Sequence, residues 1–312
     1  MDFRLNDDQL TLATALDRLA DGYREKPIEF HGFALSAEGL DQDLSDAEFF
    51  DIATFPDLGP VAAALAVERL ARLPYAAETA LSMLVRPHLR GGTLPRPFAL
   101  VENGQAGRFV AQARTLLIRT GETWEIAHPG SGDVTAVETI FAYPMGRLTG
   151  SVGRLPLSPA EAATVRRWVR VAIAAEAAGL IQAAIDSTVT HLSDRKQFGR
   201  PLGSFQALRH RMAECAVLVG GLHWLALRAA ATADDGDAAL AAFQAQDCGA
   251  RVAYELHQML GAMGMTLEHP LHLWTYRLKG LLSLMGGREA QAGAVGIHCF
   301  PSETQRNGHG AG

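Results

Sequence analysis

The sequence predicts a mainly helical protein with a small β insert, and three observations carry the prediction. Ala and Leu dominate, and apolar residues recur at helical spacing over the first ninety residues and again after Ser158. From Thr93 to Gly150 Pro and Gly recur instead, with short β-branched or aromatic runs between them. The change back to helix is marked by Ser158-Pro159-Ala160-Glu161, which places an N-cap, a first-turn proline and a capping-box glutamate together. The expected organisation is an N-terminal helical domain over 1–92, a shortened middle β domain over 93–150, a C-terminal four-helix bundle over 151–301 and a flexible tail over 302–312.

The first helix is expected to begin at Asn6, with Gln9 reaching back in a capping box and Leu12, Leu16 and Leu19 forming one apolar stripe. A second helix is predicted from about Leu58 through Leu73 and a third from Ala76 to Val85, with Arg90-Gly91-Gly92 ending the block. The β region is long enough for five or six strands, among them Thr115–Ile118 and Thr123–Ile126 on either side of Thr120-Gly121. Between Ser204 and Ala231, Leu208, Met212, Cys215, Val219, Leu222 and Ala226 fall at alternating four- and three-residue steps, the spacing of a helix packed lengthwise in a bundle. Asp234-Asp235-Gly236-Asp237 interrupts, and further helices are predicted from about Ala238 to Leu260 and from about Leu271 to Leu284.

Composition excludes several classes. With 48% hydrophobic and 20% charged residues the chain is an ordinary folding sequence, and a net charge of -6 gives no basic field to collect phosphate backbones, so nucleic acid is not an expected partner. Cys215, Cys248 and Cys299 are widely spaced, which suggests neither a disulfide framework nor a zinc site and fits a reducing cytoplasm. No export signal and no uninterrupted run of eighteen apolar residues is present, so no membrane is expected.

The stretch richest in chemistry is Asp194-Arg195-Lys196-Gln197-Phe198-Gly199-Arg200-Pro201-Leu202, in the turn between two long helices. Three cations, an aromatic and a glycine that permits close backbone approach suit a diphosphate, because a guanidinium forks onto phosphate oxygens. A solvated basic turn is the plainer alternative on charge alone. His269 and His272, three apart, lack a third ligand and read as polar residues at a helix start. Gly91-Gly92 and Gly286-Gly287 read as turns, and His128 as loop.

The pattern Arg195-x-Gln197-Phe198-Gly199-x-Pro201-Leu202-x-x-Phe205-Gln206, followed by Gln258-x-x-Gly261-x-x-Gly264 and Glu268-His269-Pro270-Leu271, resembles the C-terminal half of the acyl-CoA dehydrogenase family. The order of helical, β and helical blocks is similar to that family's architecture over the whole chain. The resemblance implies FAD as cofactor and an acyl-CoA substrate. It further implies that Arg195, Gln197 and Phe198 grip the FAD diphosphate and that Gln258 and Gly261 contact the adenine end, for a flavin ring lying in the neighbouring subunit. Ala262 stands where the family has a second glycine.

Two departures shape the reading. The family's ring-walling segment of the β domain has no counterpart between Thr93 and Gly150. Registering Tyr276-Arg277 on the family pattern puts Gly286 at the usual position of the catalytic base, and the alternative position falls near Val169; neither is a carboxylate. Glu289 and Glu176 are the nearest candidates. The chain therefore resembles the short subunits of actinobacterial heterotetrameric dehydrogenases acting on steroid side-chain CoA thioesters, which lend contacts to a full-length catalytic partner; Leu58-Gly59-Pro60 through Glu78, with Leu94-Pro95-Arg96-Pro97, has the look of that group. A self-sufficient homodimer using Glu289 or Glu176, and a structural partner without flavin, are the rival readings.

Overall fold

A computed structural model of the chain describes residues 5–24, 28, 31–33, 36–37 and 39–300. The opening Met1–Arg4 and the tail expected over 302–312 lie outside the described residues. Helix α1 (Asp7–Arg24) starts as expected: Asn6 Oδ1 accepts the Gln9 N–H at 2.8 Å and Gln9 Oε1 accepts the Asn6 N–H at 3.1 Å. Leu16 is buried, with Leu12 and Leu19 packed at the edge of the core. A short helix, α2 (Leu40–Asp46), follows a left-handed Gly39, and α3 (Gly59–Ala71) takes Pro60 in its first turn.

The helix expected from Ala76 to Val85 shrinks to α4 (Ala80–Leu84). Glu78 is the cause. Its carboxylate turns inward and accepts the N–H groups of Leu81 at 3.1 Å, Ser82 at 3.2 Å and, from the first strand, Phe98 at 3.1 Å. The glutamate is spent as a cap and as a clasp between blocks. Burial pushes its carboxyl above the ordinary range, against the pull of those donors.

In the β region seven strands form two small sheets. Strands β1 (Phe98–Glu102), β3 (Thr115–Thr120), β4 (Thr123–Ala127) and β7 (Arg154–Pro156) lie side by side in the order β1-β3-β4-β7. Strands β2 (Gly107–Arg108), β6 (Met145–Leu148) and β5 (Val134–Val137) make an antiparallel trio in the order β2-β6-β5. The β3–β4 hairpin closes around Gly121, whose φ of 58° is left-handed. Strands β1 and β3 run parallel, which needs the β2 excursion between them. Strand β7 pairs with β4 and so carries the larger sheet past the Gly150 limit expected from composition.

Helix α5 (Pro159–Asp194) is 36 residues long and opens with the expected capping box, Ser158 Oγ accepting the Glu161 N–H at 3.3 Å and Glu161 Oε2 accepting the Ser158 N–H at 2.9 Å. At about 1.5 Å per residue it is the longest element and the axis of the molecule. After it come a two-stranded hairpin, β8 (Lys196–Gln197) and β9 (Arg200–Pro201), then α6 (Gln206–Thr232) and α7 (Asp235–Leu260). Left-handed Ala233 ends α6, and Asp234 Oδ1 caps α7 by accepting the Gly236 and Asp237 N–H groups at 2.9 Å. The last helix expected, from Leu271 to Leu284, is shorter: α8 (His272–Leu281) gives way to a turn and then to α9 (Gly287–Cys299), each covering part of the bundle's fourth side, α8 on α5 and α9 on α7. The break follows from Met285, Gly286 and Gly287, all at positive φ.

Helices α3 and α5 approach closely because α5 is glycine at position 179. A Cβ there would collide with the Glu68 carbonyl oxygen and lie 2.8 Å from the Ala71 methyl. Alanine gains about 1 kcal/mol over glycine in a helix interior, while overpacking against an obstacle that cannot rotate away costs about 1–3 kcal/mol or more. Gly179→Ala is expected to lower the melting temperature by several degrees in a thermal scan. Gly293→Ala, on α9 where a Cβ meets nothing within 4 Å, is expected to hold or raise it; equal shifts for the two would refute the close-approach account.

Candidate functional site

The cationic turn folds as a hairpin at the end of α5. Phe198 at φ 53° and Gly199 at φ 78° form its two-residue tip, the doubly left-handed geometry that matches strand twist, and the Leu202 N–H bonds the Arg195 carbonyl at 2.8 Å to close it. Glycine is the natural occupant of the second position; an aromatic at the first is unusual and leaves Phe198 87% exposed. Its ring meets Phe205 edge-on at 6.1 Å, and Arg200 lies over the same Phe205 at 4.0 Å.

Arg195 opens onto a groove of about 570 Å³. One wall is the last turns of α5, with Ser187, Thr190, His191 and Asp194; the other is the segment after α7, with Met263, His269 and Pro270. That second wall is pinned: His257 bonds the Gly264 carbonyl through Nδ1 at 2.5 Å and Thr275 Oγ1 through Nε2 at 2.9 Å. The Arg195 guanidinium is exposed and bonded to no carboxylate among the described residues. Two imidazoles meet edge-on across the groove, His191 and His269, with ring centres 5.3 Å apart. Burial, then the neighbouring imidazoles of His191, His272 and His257, press His269 down to about 4, and burial together with Arg195 lowers His191.

Of the five residues with an expected cofactor contact, Arg195 lines this groove while Gln197 and Phe198 stand on the adjoining hairpin. Gln258 and Gly261 sit exposed at the end of α7, where left-handed Gly261 stops the helix and donates its N–H to the Gln258 carbonyl. The structure thus brings both segments to one edge of the bundle, with Met263 as the link. His191 carried no expectation, and no spacing rule would have found it, since it stands one turn before Arg195 in an unremarkable helical run.

The position matched to the family base is glycine in a turn held from three sides. Both Glu102 carboxylate oxygens accept the Met285 N–H, at 3.0 and 3.2 Å; Gln246 Nε2 donates to the Leu281 and Leu284 carbonyls at 3.1 and 2.9 Å; Gln291 Nε2 donates to the Met285 carbonyl at 2.9 Å. Gly286 at φ 85° leads into α9 without a side chain. Glu289 is exposed on that helix, and Val169 is buried core.

Glu176, the other candidate base, is committed elsewhere. One carboxylate oxygen pairs with the Arg108 guanidinium from β2, and the other accepts the Tyr143 hydroxyl at 2.6 Å. All three side chains are buried. Burial disfavours the charge on Arg108, but Glu176 outweighs it and raises the guanidinium's proton affinity; burial, then Glu176, raises the Tyr143 hydroxyl. The trio fills the junction between the β region and α5, and Tyr143 also packs on Gly280 of α8, where an added Cβ would meet its ring at 3.4 Å. No cluster of three or more potential metal ligands occurs among the described residues, His269 and His272 included. The three cysteines are free thiols, two of them buried.

Comparison with known proteins follows this geometry. Residues 163–298 match the family described as acyl-CoA dehydrogenase, C-terminal domain. The chain is 40% identical over 114 residues to the acyl-CoA dehydrogenase IpdE2 of Mycolicibacterium smegmatis, a stretch covering 36% of this chain and 37% of that one, so it spans little more than a third of that curated relative. Among solved structures, a chain of the ChsE4-ChsE5 complex from Mycobacterium tuberculosis superposes with a TM-score of 0.74 at 21% identity, covering 97% of this chain and 100% of that one. A chain of the Tcur3481-Tcur3483 steroid ACAD G363A variant superposes at 0.72 and 20% identity, covering 94% and 98%. These likenesses show that the fold is that of the acyl-CoA dehydrogenases.

The buried trio separates a structural glutamate from a catalytic one. Glu176→Gln leaves the Arg108 charge buried without its counter-ion, a change that costs roughly 3–5 kcal/mol, whereas Glu289→Gln alters an exposed side chain. Denaturant titration of the purified protein is expected to show a large fall in midpoint for the first and none for the second. A Glu176→Gln midpoint equal to wild type would return Glu176 to the list of free carboxylates.

Proposed function

We propose that this chain, whose residues 163–298 match the acyl-CoA dehydrogenase C-terminal domain, is the short subunit of an FAD-dependent acyl-CoA dehydrogenase that shares its flavin site with a full-length partner. The observation that carries the reading is the groove: an uncommitted guanidinium, Arg195, stands at the edge of a cavity of about 570 Å³, on an aromatic-tipped hairpin whose sequence resembles the family's diphosphate grip. When bound, the flavin accepts the hydride in α,β-dehydrogenation of an acyl-CoA thioester. This chain's residues do something narrower. Arg195 holds the diphosphate through charge-assisted bonds, Gln197 and Phe198 flank it, and Gln258 with Gly261 border the adenine end.

The α-proton must be removed by a base that none of the positions matched to the family pattern supplies among the described residues. Gly286 has no side chain, Glu289 faces solvent and both oxygens of Glu176 are taken. The base then belongs to the partner, which disfavours the self-sufficient homodimer. Helix α6 supports the existence of that partner. It is long and apolar enough to cross a membrane by length and composition, as is α5, yet the most apolar stretch of α5 is 89% buried in the fold and that of α6 only 39%. Val217, Trp224 and, on α7, Tyr254 are left exposed, an apolar face suited to a second subunit. An α2β2 assembly, in the cytoplasm, acting on a steroid side-chain CoA thioester is the fuller form of the proposal, supported by the likeness to the ChsE4-ChsE5 complex and to the steroid ACAD. A structural partner without flavin remains the contrasting case, and flavin content decides between them.

Removing one partner of a charged hydrogen bond costs roughly 1.5–3 kcal/mol, about ten- to a hundredfold in affinity. Arg195→Ala is therefore expected to strip FAD from the co-expressed complex at limiting free FAD without unfolding it, and Arg195→Lys to restore part of the loss, since an ammonium keeps the charge but not the planar fork. Absorbance after gel filtration reads flavin per complex. Unchanged occupancy in Arg195→Ala would sink the assignment.

A further inference from the structure

The two imidazoles in the Arg195 groove differ in what their ring nitrogens are free to do. His269 accepts the Leu271 N–H on Nδ1 at 3.2 Å. That bond fixes the neutral tautomer with its proton on Nε2, and adding a second proton to the ring would break it. His191 has no hydrogen bond to either nitrogen among the described residues, and its one ring contact is the edge-on meeting with His269. Burial, then Arg195, lowers the proton affinity of His191; burial, then the neighbouring imidazoles of His191, His272 and His257, lowers that of His269.

We propose that both histidines bind the diphosphate with divided roles, His191 by taking up a proton as the ligand enters and His269 as a neutral Nε2–H donor, so that flavin affinity is linked to pH through His191 alone. The inference rests on the reading of the groove as the diphosphate site. A neutral imidazole facing a phosphate presents a lone pair on one of its nitrogens; the protonated ring presents donors on both. Two negative charges entering beside His191 reverse the electrostatic balance that Arg195 sets there, and the proton comes from solvent. Asp194, on the same turn, favours the charged ring in both states and sets no difference between them. His257 is bonded on both nitrogens and His272 bonds backbone carbonyls with both of its own, at 3.0 Å each, so neither is free to turn to the ligand. Lys279 acts on His257 and lies over the Tyr276 ring.

The linkage has a definite sign. A ring whose proton affinity is low in the free groove and higher in the bound one makes binding stronger as pH falls, by at most about tenfold per pH unit for one proton taken up. The FAD diphosphate does not itself titrate between about pH 5 and 8, the window in which histidine does.

The test is calorimetric titration of FAD into the deflavinated complex across that window, in two buffers of different ionisation heat, for wild type, His191→Gln, His269→Gln and Arg195→Ala. Wild type is expected to bind more tightly as pH falls, with a fraction of a proton to one proton taken up. His191→Gln should bind with neither uptake nor slope, and His269→Gln several-fold more weakly with the wild-type slope. A flat wild-type profile, or a His191→Gln protein with the wild-type slope and uptake, would overturn the proposal. The two readings fail separately: Arg195→Ala binding FAD like wild type brings down the diphosphate site itself, whereas a weakened Arg195→Ala beside an unaltered His191→Gln brings down only the role of the histidines.

Discussion

Helix α5 has to be crowded on every side, and one buried carboxylate makes that crowding specific. The helix is rich in Ala and carries Gly179 where α3 crosses it, so neighbours come near enough to touch backbone. Small residues alone would let those neighbours slide. Glu176, one turn before Gly179, ends the ambiguity by gathering Arg108 from β2 and Tyr143 from the loop before β6. Arg277 of α8 lies in the same field and is solvated by the Leu73, Tyr75 and Leu273 carbonyls at 2.6 Å each. Burying such charges costs several kcal/mol per ion unless geometry is good. A different seating of the β region would strand Arg108 and Glu176 at once.

That constraint explains how the chain divides its surface. The junction between the β region and the bundle is filled with fixed side chains, and the turn at Gly286 is clamped by Glu102, Gln246 and Gln291. The Arg195 groove lies away from both, at the far end of α5, where the helix runs out into the hairpin. Rigid scaffold with binding groups on terminal loops is the common arrangement for recognition sites. Here Arg195 and His191 line the groove at that end, with the hairpin tip beside them.

How much of this was legible in the sequence depended on the range of the interaction. Caps are local, and those of Asn6 with Gln9 and Ser158 with Glu161 stand where their side chains predicted, while the Asp234 segment breaks the helix as expected. The α6 stripe and the β3–β4 hairpin were legible for the same reason. Glu78 was not, because the donor that draws it inward, the Phe98 N–H, is twenty residues away and belongs to a strand. The turn at Gly286-Gly287 was legible from its glycines, but the end of α8 at Leu281 was not, since leucine spacing persists through Leu284, and α9 beyond the turn carried no expectation. Of the site, the hairpin residues were recognisable as a motif; the second wall of the groove, with His269 turned toward His191, depends on how α5 and the segment after α7 meet, and no spacing encodes that.

The exposed face of α6 sets a condition on supply rather than on chemistry. A helix as apolar as a membrane span, with Val217 at 74% exposure and Trp224 at 48%, is a surface that chaperones and proteases recognise. In the two-subunit assembly proposed above, copies made in excess of the subunit that covers that face would have a shorter life than covered ones. The amount of this chain would then follow the scarcer of the two products, with turnover keeping the ratio.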